Sequence, residues 1–328
     1  MKIVIPGGSG HIGTMLSRAL RERGHEVVVL SRAASTPADR RWDGRTLGPW
    51  SAHIESADVV INLAGRSVDC RYNKTNLEQM LSSRTDSTEV IGRAIAQAAR
   101  PPRVWLQMST ATIYAHRYDA DNEERSGVIG GHEPDAPSYW RFSVEIAKAW
   151  ERTLWAANTP RTRKVALRSA MVMCLEKGSV FDILRRLARL RLGGAIAGGA
   201  QYVSWIHEHD FVRAIELLIA RDDIDGVVNL AAPAPLPQRA FMRALRRAVG
   251  VRWGLGGTRW MIELATVVHR TDSELLLKSR RVVSSRLREA GFTFEYPSWP
   301  EAADELVARR RALRAAARGR QALSAADA

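Results

Sequence analysis

Lys2-Ile3-Val4-Ile5-Pro6-Gly7-Gly8-Ser9-Gly10-His11-Ile12-Gly13 opens the chain, and the reading of this stretch decides the reading of the rest. The apolar run predicts a short buried strand over Lys2–Ile5. Ile12, Met15, Leu16, Ala19 and Leu20 recur at the spacing of one helical face, which predicts a helix over Ile12–Arg23, ended by Gly24. Between strand and helix, glycines 7, 10 and 13 are spaced G-x-x-G-x-x-G. In that frame Gly7 permits a tight turn off the strand, Gly10 lets backbone approach a diphosphate, and Gly13 lets the helix pack closely on a sheet. The helix start, with His11 and Ile12, offers unpaired N–H groups and a positive dipole end to phosphate. A ligand-free glycine turn is the alternative. The strand before, the helix after and the second strand at the right distance favour the phosphate reading.

Working outward, further continuous apolar runs predict strands over Glu26–Leu30, Asp58–Leu63, Val104–Met108, Val165–Arg168 and Val227–Leu230. Helical periodicity covers about Leu77–Ala99, Phe211–Ala220 and Phe241–Val249. Strands and helices that alternate, with strands apolar on both faces, predict a Rossmann-type, doubly wound parallel α/β sheet. The expected organisation is a dinucleotide-binding domain over 1–232 with a substrate-side insertion at about 175–204. A smaller C-terminal, substrate-side lobe follows over 233–306, then a basic, flexible tail over 307–328.

The second strand ends in Leu30-Ser31-Arg32. An acid at this position would accept from the adenosine ribose hydroxyls of NAD(H) and repel a 2′-phosphate. Arginine pairs with that phosphate instead. Ser31 and Arg32 therefore point to NADP(H) rather than NAD(H), unless Arg32 is simply a surface residue.

The 328 residues carry a formal charge of +14, with arginine dispersed and partly gathered in the tail, so the charge reads as compositional and points away from nucleic acid as partner. No apolar run reaches the roughly 20 residues that span a bilayer. The opening run breaks at Pro6-Gly7-Gly8, short of the about 7–15 apolar residues of a secretion signal, and reads as a strand. Two distant cysteines, Cys70 and Cys174, fit a reducing, cytoplasmic setting.

Further motifs now accumulate: Asn62-Leu63-Ala64-Gly65 after one strand, Ser109-Thr110-Ala111-Thr112-Ile113-Tyr114 after another, Ser204-Trp205-Ile206-His207 with Asp210, and Gly291-Phe292-Thr293-Phe294-Glu295-Tyr296-Pro297. With the glycine motif they make the chain similar to extended, epimerase-like short-chain dehydrogenases/reductases. It resembles in particular the NAD-dependent epimerase/dehydratase subgroup with a small extra C-terminal domain, over about residues 1–306. The resemblance implies that Leu63, Ala64 and Gly65 line the cofactor and that Thr110 hydrogen-bonds the reacting oxygen of a small-molecule substrate. It also implies hydride transfer on a sugar nucleotide or another small carbonyl or hydroxyl compound, and suits a homodimer.

In that superfamily a tyrosine moves the proton, and a lysine four residues later lowers its pKa, which is ordinarily about 10. The candidate here is Tyr139, and Ser143 stands where the lysine belongs. Lys148 lies nine residues on, about 900° round a continuous helix and roughly 13 Å along it, out of reach. Either Tyr139 works alone, another hydroxyl near Thr110, Thr112 or Tyr114 serves, or the chain is an NADP(H)-binding sensor or scaffold with little catalysis. Tyr139 also reads as a packing residue at a helix start. Tyr114, Trp205 and His207 are expected on the substrate cleft, with a helix cap near Asp210 as the other reading of the latter two. His207 and His209 lack the further ligands that a zinc site needs, so no metal is expected.

Overall fold

The structure is a computed structural model that describes residues 1–33, 39–68, 70, 72–134, 136–258 and 274–326. Its centre is a seven-stranded parallel sheet of β1 (Lys2–Pro6), β2 (Glu26–Ser31), β3 (Asp39–Arg41), β4 (Val59–Asn62), β5 (Val104–Thr110), β6 (Arg163–Ser169) and β10 (Gly226–Leu230). The order across the sheet is β3-β2-β1-β4-β5-β6-β10. Chain order runs outward in opposite directions from the β1/β4 pair, where Ile3 faces Val59 and Val4 faces Val60. That junction is a topological switch point, and ligands of open α/β sheets bind in the crevice beyond the strand ends there.

All six expected strands are present, within one or two residues of their expected ends. The seventh, β3, is a three-residue edge strand of charged residues, whose polar composition carries no strand signal. Strand side chains alternate between two cores. Ile3, Ile5 and Val29 join Leu16 and Leu20 of α1 (His11–Glu22) and Phe211 and Ile215 of α6 (Glu208–Ala220) on one face. Val4, Val28 and Val60 join Ile91 and Ile95 of α3 (Lys74–Gln97) and Leu154 of α4 (Arg141–Ala156) on the other. Full burial of each such side chain is worth about 1.5–3 kcal/mol. Two-sided burial explains why the strands read as unbroken apolar runs.

A third core lies beyond the strand ends. It joins Phe181 and Ala188 of α5 (Val180–Arg189), Trp205 of β9 (Trp205–His207), Phe241 and Leu245 of α7 (Gln238–Ala248), and Trp299, Leu306 and Val307. The insertion and the C-terminal segments thus share one apolar centre. Residues 259–273 of the expected C-terminal lobe lie outside the described residues.

The segment after 306, expected to be flexible and at most helical, continues a helix over Trp299–Ala326. Its first part is held by charge. Arg310 donates to the Leu175 carbonyl and pairs with buried Asp182 at 3.1 Å, and Arg309 pairs with Glu208 at 2.5 Å. Residues 311–319 are exposed.

Candidate cofactor and active site

The glycine loop turns where β1 becomes α1. Gly7 has φ +76, and its N–H donates to Leu30 O at 2.9 Å. A Cβ there would sit 2.6 Å from the Ala64 backbone, and one on Gly13 would sit 2.4 Å from Gly8 Cα. Both glycines are therefore required by the protein's own packing. Gly10 is different. Its backbone is extended (φ −75), and the nearest atom to a built Cβ is Gly7 O at 3.7 Å. The polypeptide itself has no steric use for a missing side chain at Gly10; a group laid along the loop would.

The start of α1 fits an anion. Gly10 gives it no side-chain cap, and its first turn contains no acidic residue. The first helical bond is Thr14 N–H to Gly10 O, so the N–H groups of His11, Ile12 and Gly13 precede it and have no helical acceptor. Beside them the Ser31 hydroxyl donates to Ala33 O and is hydrogen-bonded with the Ser9 hydroxyl, both at 2.9 Å, which ties the glycine loop to the end of β2. Ser31 is buried and Arg32 is exposed. The third wall is the loop after β4. Leu63 N–H donates to Pro6 O at 2.8 Å, and Ala64 N–H to Asn62 Oδ1 at 3.0 Å. Asn62, fully buried, is oriented by its amide donating to Gln107 Oε1 on β5. Gly65 lies against Arg84, a residue of α3 that sequence reasoning missed. Arg84 donates to Met80 O and Arg66 O, and burial pushes its guanidinium down to about 10. The expected cofactor residues on β1, β2 and β4 thus meet at the switch point.

Thr110 ends β5, half-buried, its Oγ1 accepting from Thr112 N at 3.1 Å. Tyr139 is 44% exposed in the 3₁₀ turn Ser138–Trp140 that leads into α4. Lys148 pairs with Glu145 at 3.0 Å. Ser143, in the lysine position, donates to Glu274 Oε2 at 2.5 Å. Glu274 in turn faces Lys278 at 3.5 Å, and both are buried. Lys278 donates to Thr112 O at 2.9 Å and Arg280 to Thr112 Oγ1 at 3.2 Å. Burial lowers the pKa of Lys278, and the Glu274 charge opposes that shift. This arm from the C-terminal part of the chain was not foreseen, because nothing in its local sequence marks its approach to β5.

Three expected cleft residues are not at a cleft. Tyr114 is 1% exposed; its hydroxyl donates to Asn229 Oδ1 at 2.9 Å and accepts from Arg168, which Glu151 pairs at 2.8 Å. Trp205 is 0% exposed and packs edge-on to Trp299. His207 is also buried. It caps α6 by accepting from His209 N, bonds Glu305 at 2.9 Å and stacks on Tyr296 at 4.0 Å. Asp210, 0% exposed, accepts from Glu295 N at 2.8 Å and Tyr296 N at 2.9 Å, and pairs with Arg213 at 3.0 Å. The Trp-Ile-His-x-x-Asp and Phe-x-Phe-x-Tyr-Pro pieces are therefore two halves of one joint.

A glycine loop at the switch point of such a sheet defines a dinucleotide-binding Rossmann protein of the short-chain dehydrogenase/reductase type. The comparisons make this specific. The model of the NAD dependent epimerase/dehydratase family matches residues 3–134, and a domain of unknown function (DUF1731) matches residues 258–306. The mouse epimerase family protein SDR39U1 is 32% identical over 321 residues, covering 94% of this chain and all of that protein. The crystal structure of human SDR39U1 (isoform 2) with NADPH superposes with a TM-score of 0.81 at 27% identity, covering 94% of this chain and 99% of the other. A nucleoside-diphosphate sugar epimerase from Corynebacterium glutamicum shares the fold, with a TM-score of 0.73 at 24% identity, covering 96% of this chain and 61% of the other. This chain belongs to the NAD-dependent epimerase/dehydratase family. No helix among the described residues is long and apolar enough to cross a membrane.

Proposed function

We propose that this chain is an NADP(H)-dependent oxidoreductase or epimerase-like enzyme acting on a small carbonyl or hydroxyl compound. The observation that carries this reading is the pairing of an open Gly10 and an uncapped, acid-free α1 start with Ser31, bonded to the glycine loop and followed in the chain by the exposed Arg32. The NADPH held by the human relative agrees with it. The Gly7–Gly13 loop, with His11 and Ile12, would take the diphosphate, Arg32 the 2′-phosphate, and Leu63-Ala64-Gly65 the length of the dinucleotide towards the reacting end. The cofactor supplies the hydride chemistry. The chain's own residues orient and move a proton: Thr110 positions the reacting oxygen at the end of β5, and Tyr139, at the entrance to α4, exchanges the proton with it. The two unpaired cysteines fit a reducing compartment.

A second reading, an NADP(H)-binding sensor or scaffold with little turnover, is favoured by Ser143, whose hydroxyl is engaged by Glu274 where a lysine would serve Tyr139. Calorimetric titration with NADPH and NADH tests the cofactor, with NADPH expected at least about tenfold tighter, a difference of about 1.4 kcal/mol. Folded protein that ignores both dinucleotides overturns the proposal. Single-turnover oxidation of bound NADPH by any member of a carbonyl panel, above the protein-free rate, separates enzyme from sensor.

A further inference from the structure

A surface helix ordinarily turns its apolar stripe to the core and its charges to water. α5 does the reverse. Its buried residues are Phe181, Asp182, Arg185 and Ala188. Charge holds that side in place: Asp182 pairs with Arg185 at 2.8 Å and with Arg310 of the terminal helix at 3.1 Å, and it accepts from Gly178 N at 3.1 Å. At about 100° per residue, Val180, Ile183, Leu187 and Leu190 then share one sector of about 80° on the other side. Val180, Ile183 and Leu190 are 40%, 41% and 68% exposed, and Leu187 is half-buried.

The apolar surface continues past the helix. Leu192, Trp253 and Leu255 are each more than half exposed. Leu255 N–H donates to Arg191 O at 2.6 Å, and the Arg191 guanidinium lies 4.7 Å over the Trp253 ring, so the two segments form one edge. The rim is basic. Arg186 lies about 40° round the helix from Leu190, with Arg189 next to it on the same side. Residues 183–207 contain four arginines and no acidic residue. Arg314 of the terminal helix joins this group: burial and the charges of Arg185, Arg310 and Arg189 lower its pKa.

We propose that this face docks on an anionic lipid surface, with the stripe of α5 entering the headgroup boundary and the arginines meeting the lipid phosphates. A projecting stripe with a cationic rim needs no complementary groove. It needs an interface that is apolar beneath and anionic above, which such a lipid surface offers. A second copy of the chain set against the same face would oppose arginine with arginine. The inference is independent of the cofactor reading, although the two sites are neighbours. A Cβ on Gly178, just before α5, would sit 3.4 Å from His11 Nε2, and Arg18 of α1 pairs with Glu176 at 2.8 Å. Docking therefore brings the glycine loop close to the lipid.

The test is co-sedimentation of the full chain with vesicles of phosphatidylcholine containing about a third phosphatidylglycerol, and with vesicles of phosphatidylcholine alone, at about 0.1 M salt. The anionic vesicles are expected to bind at least about tenfold more tightly. A chain of charge +14 is drawn to any anionic surface, so the deciding variant leaves the charge unchanged. Ile183→Gln combined with Leu190→Gln is expected to weaken binding to anionic vesicles about tenfold or more, while the unfolding midpoint and NADPH affinity stay those of the parent. Arg189→Ala is expected to weaken it about fivefold. The proposal is overturned if the parent binds neither vesicle, if it binds both equally, or if the double variant binds like the parent, which would leave charge alone at work. A parent dimer in sedimentation equilibrium that the double variant dissolves would give the face to a second copy and overturn the proposal as well.

Discussion

The glycine loop and the joint between Asp210 and Tyr296 are both built from conspicuous sequence motifs, and they end in opposite physical states. At the loop, backbone N–H groups at the start of α1 are left without side-chain caps, and Gly10 faces open space. At the joint, Asp210 is fully buried and spends its carboxylate on two backbone N–H groups and Arg213, while His207 is closed in by Glu305 and Tyr296. A motif that leaves hydrogen-bonding capacity unspent at the surface has something left for a ligand. A motif whose capacity is consumed by another part of the chain is a fastener.

If that contrast is right, mutations at the two regions should separate stability from binding. The largest effect is expected from Asp210→Ala, which strands two buried N–H groups and Arg213. It should cost about 3–5 kcal/mol in denaturant unfolding, while NADPH affinity of the remaining folded protein stays near that of the parent. A marked loss of NADPH affinity with unchanged stability would turn the joint into a ligand site. Gly10→Val should do the reverse: an unfolding midpoint near that of the parent, because the added side chain meets no protein atom closer than 3.7 Å to its Cβ, with NADPH affinity down about 100-fold, or roughly 2.7 kcal/mol. Retained binding would move the diphosphate off the loop. Arg32→Ala is expected to weaken NADPH about tenfold and to leave NADH nearly unchanged, since only the former carries the 2′-phosphate. Equal losses in calorimetry would remove Arg32 from the site.

The smallest effect concerns acid. Burial works against the charge on Asp182, but the Arg185 hydrogen bond, the Gly178 N–H and the charges of Arg310 and Arg186 outweigh it and hold the carboxyl down to about 2, below its ordinary 3.8. A carboxyl depressed on folding contributes its stability above the ordinary value and loses it as pH falls through the folded one. The Arg310 attachment of the terminal helix should therefore be intact above about pH 4 and be lost progressively from there towards pH 2. Limited proteolysis after Arg309 and Arg310 across this range should show cutting rise only at the acid end. Asp182→Asn should expose the same sites at neutral pH and remove the acid dependence. Uniform resistance in the variant would mean that the apolar seam of Leu306 and Val307 holds the helix alone.

Periodicity and glycine spacing were enough for six strands of the sheet and for α1, because each of these is written in neighbouring residues: two-sided burial makes an unbroken apolar run, and a turn needing positive φ selects glycine. The sequence alone therefore determined the sheet and the glycine turn at the end of its first strand. Tertiary structure decided the rest. Only packing shows that Tyr114, Trp205 and His207 are interior, that Arg309 and Arg310 clamp a helix, and that Lys278 reaches Thr112 across 166 residues. The physical reason is that a polar side chain carries no local mark of its partner: whether it faces ligand, water or another buried group is fixed only when distant segments are brought together.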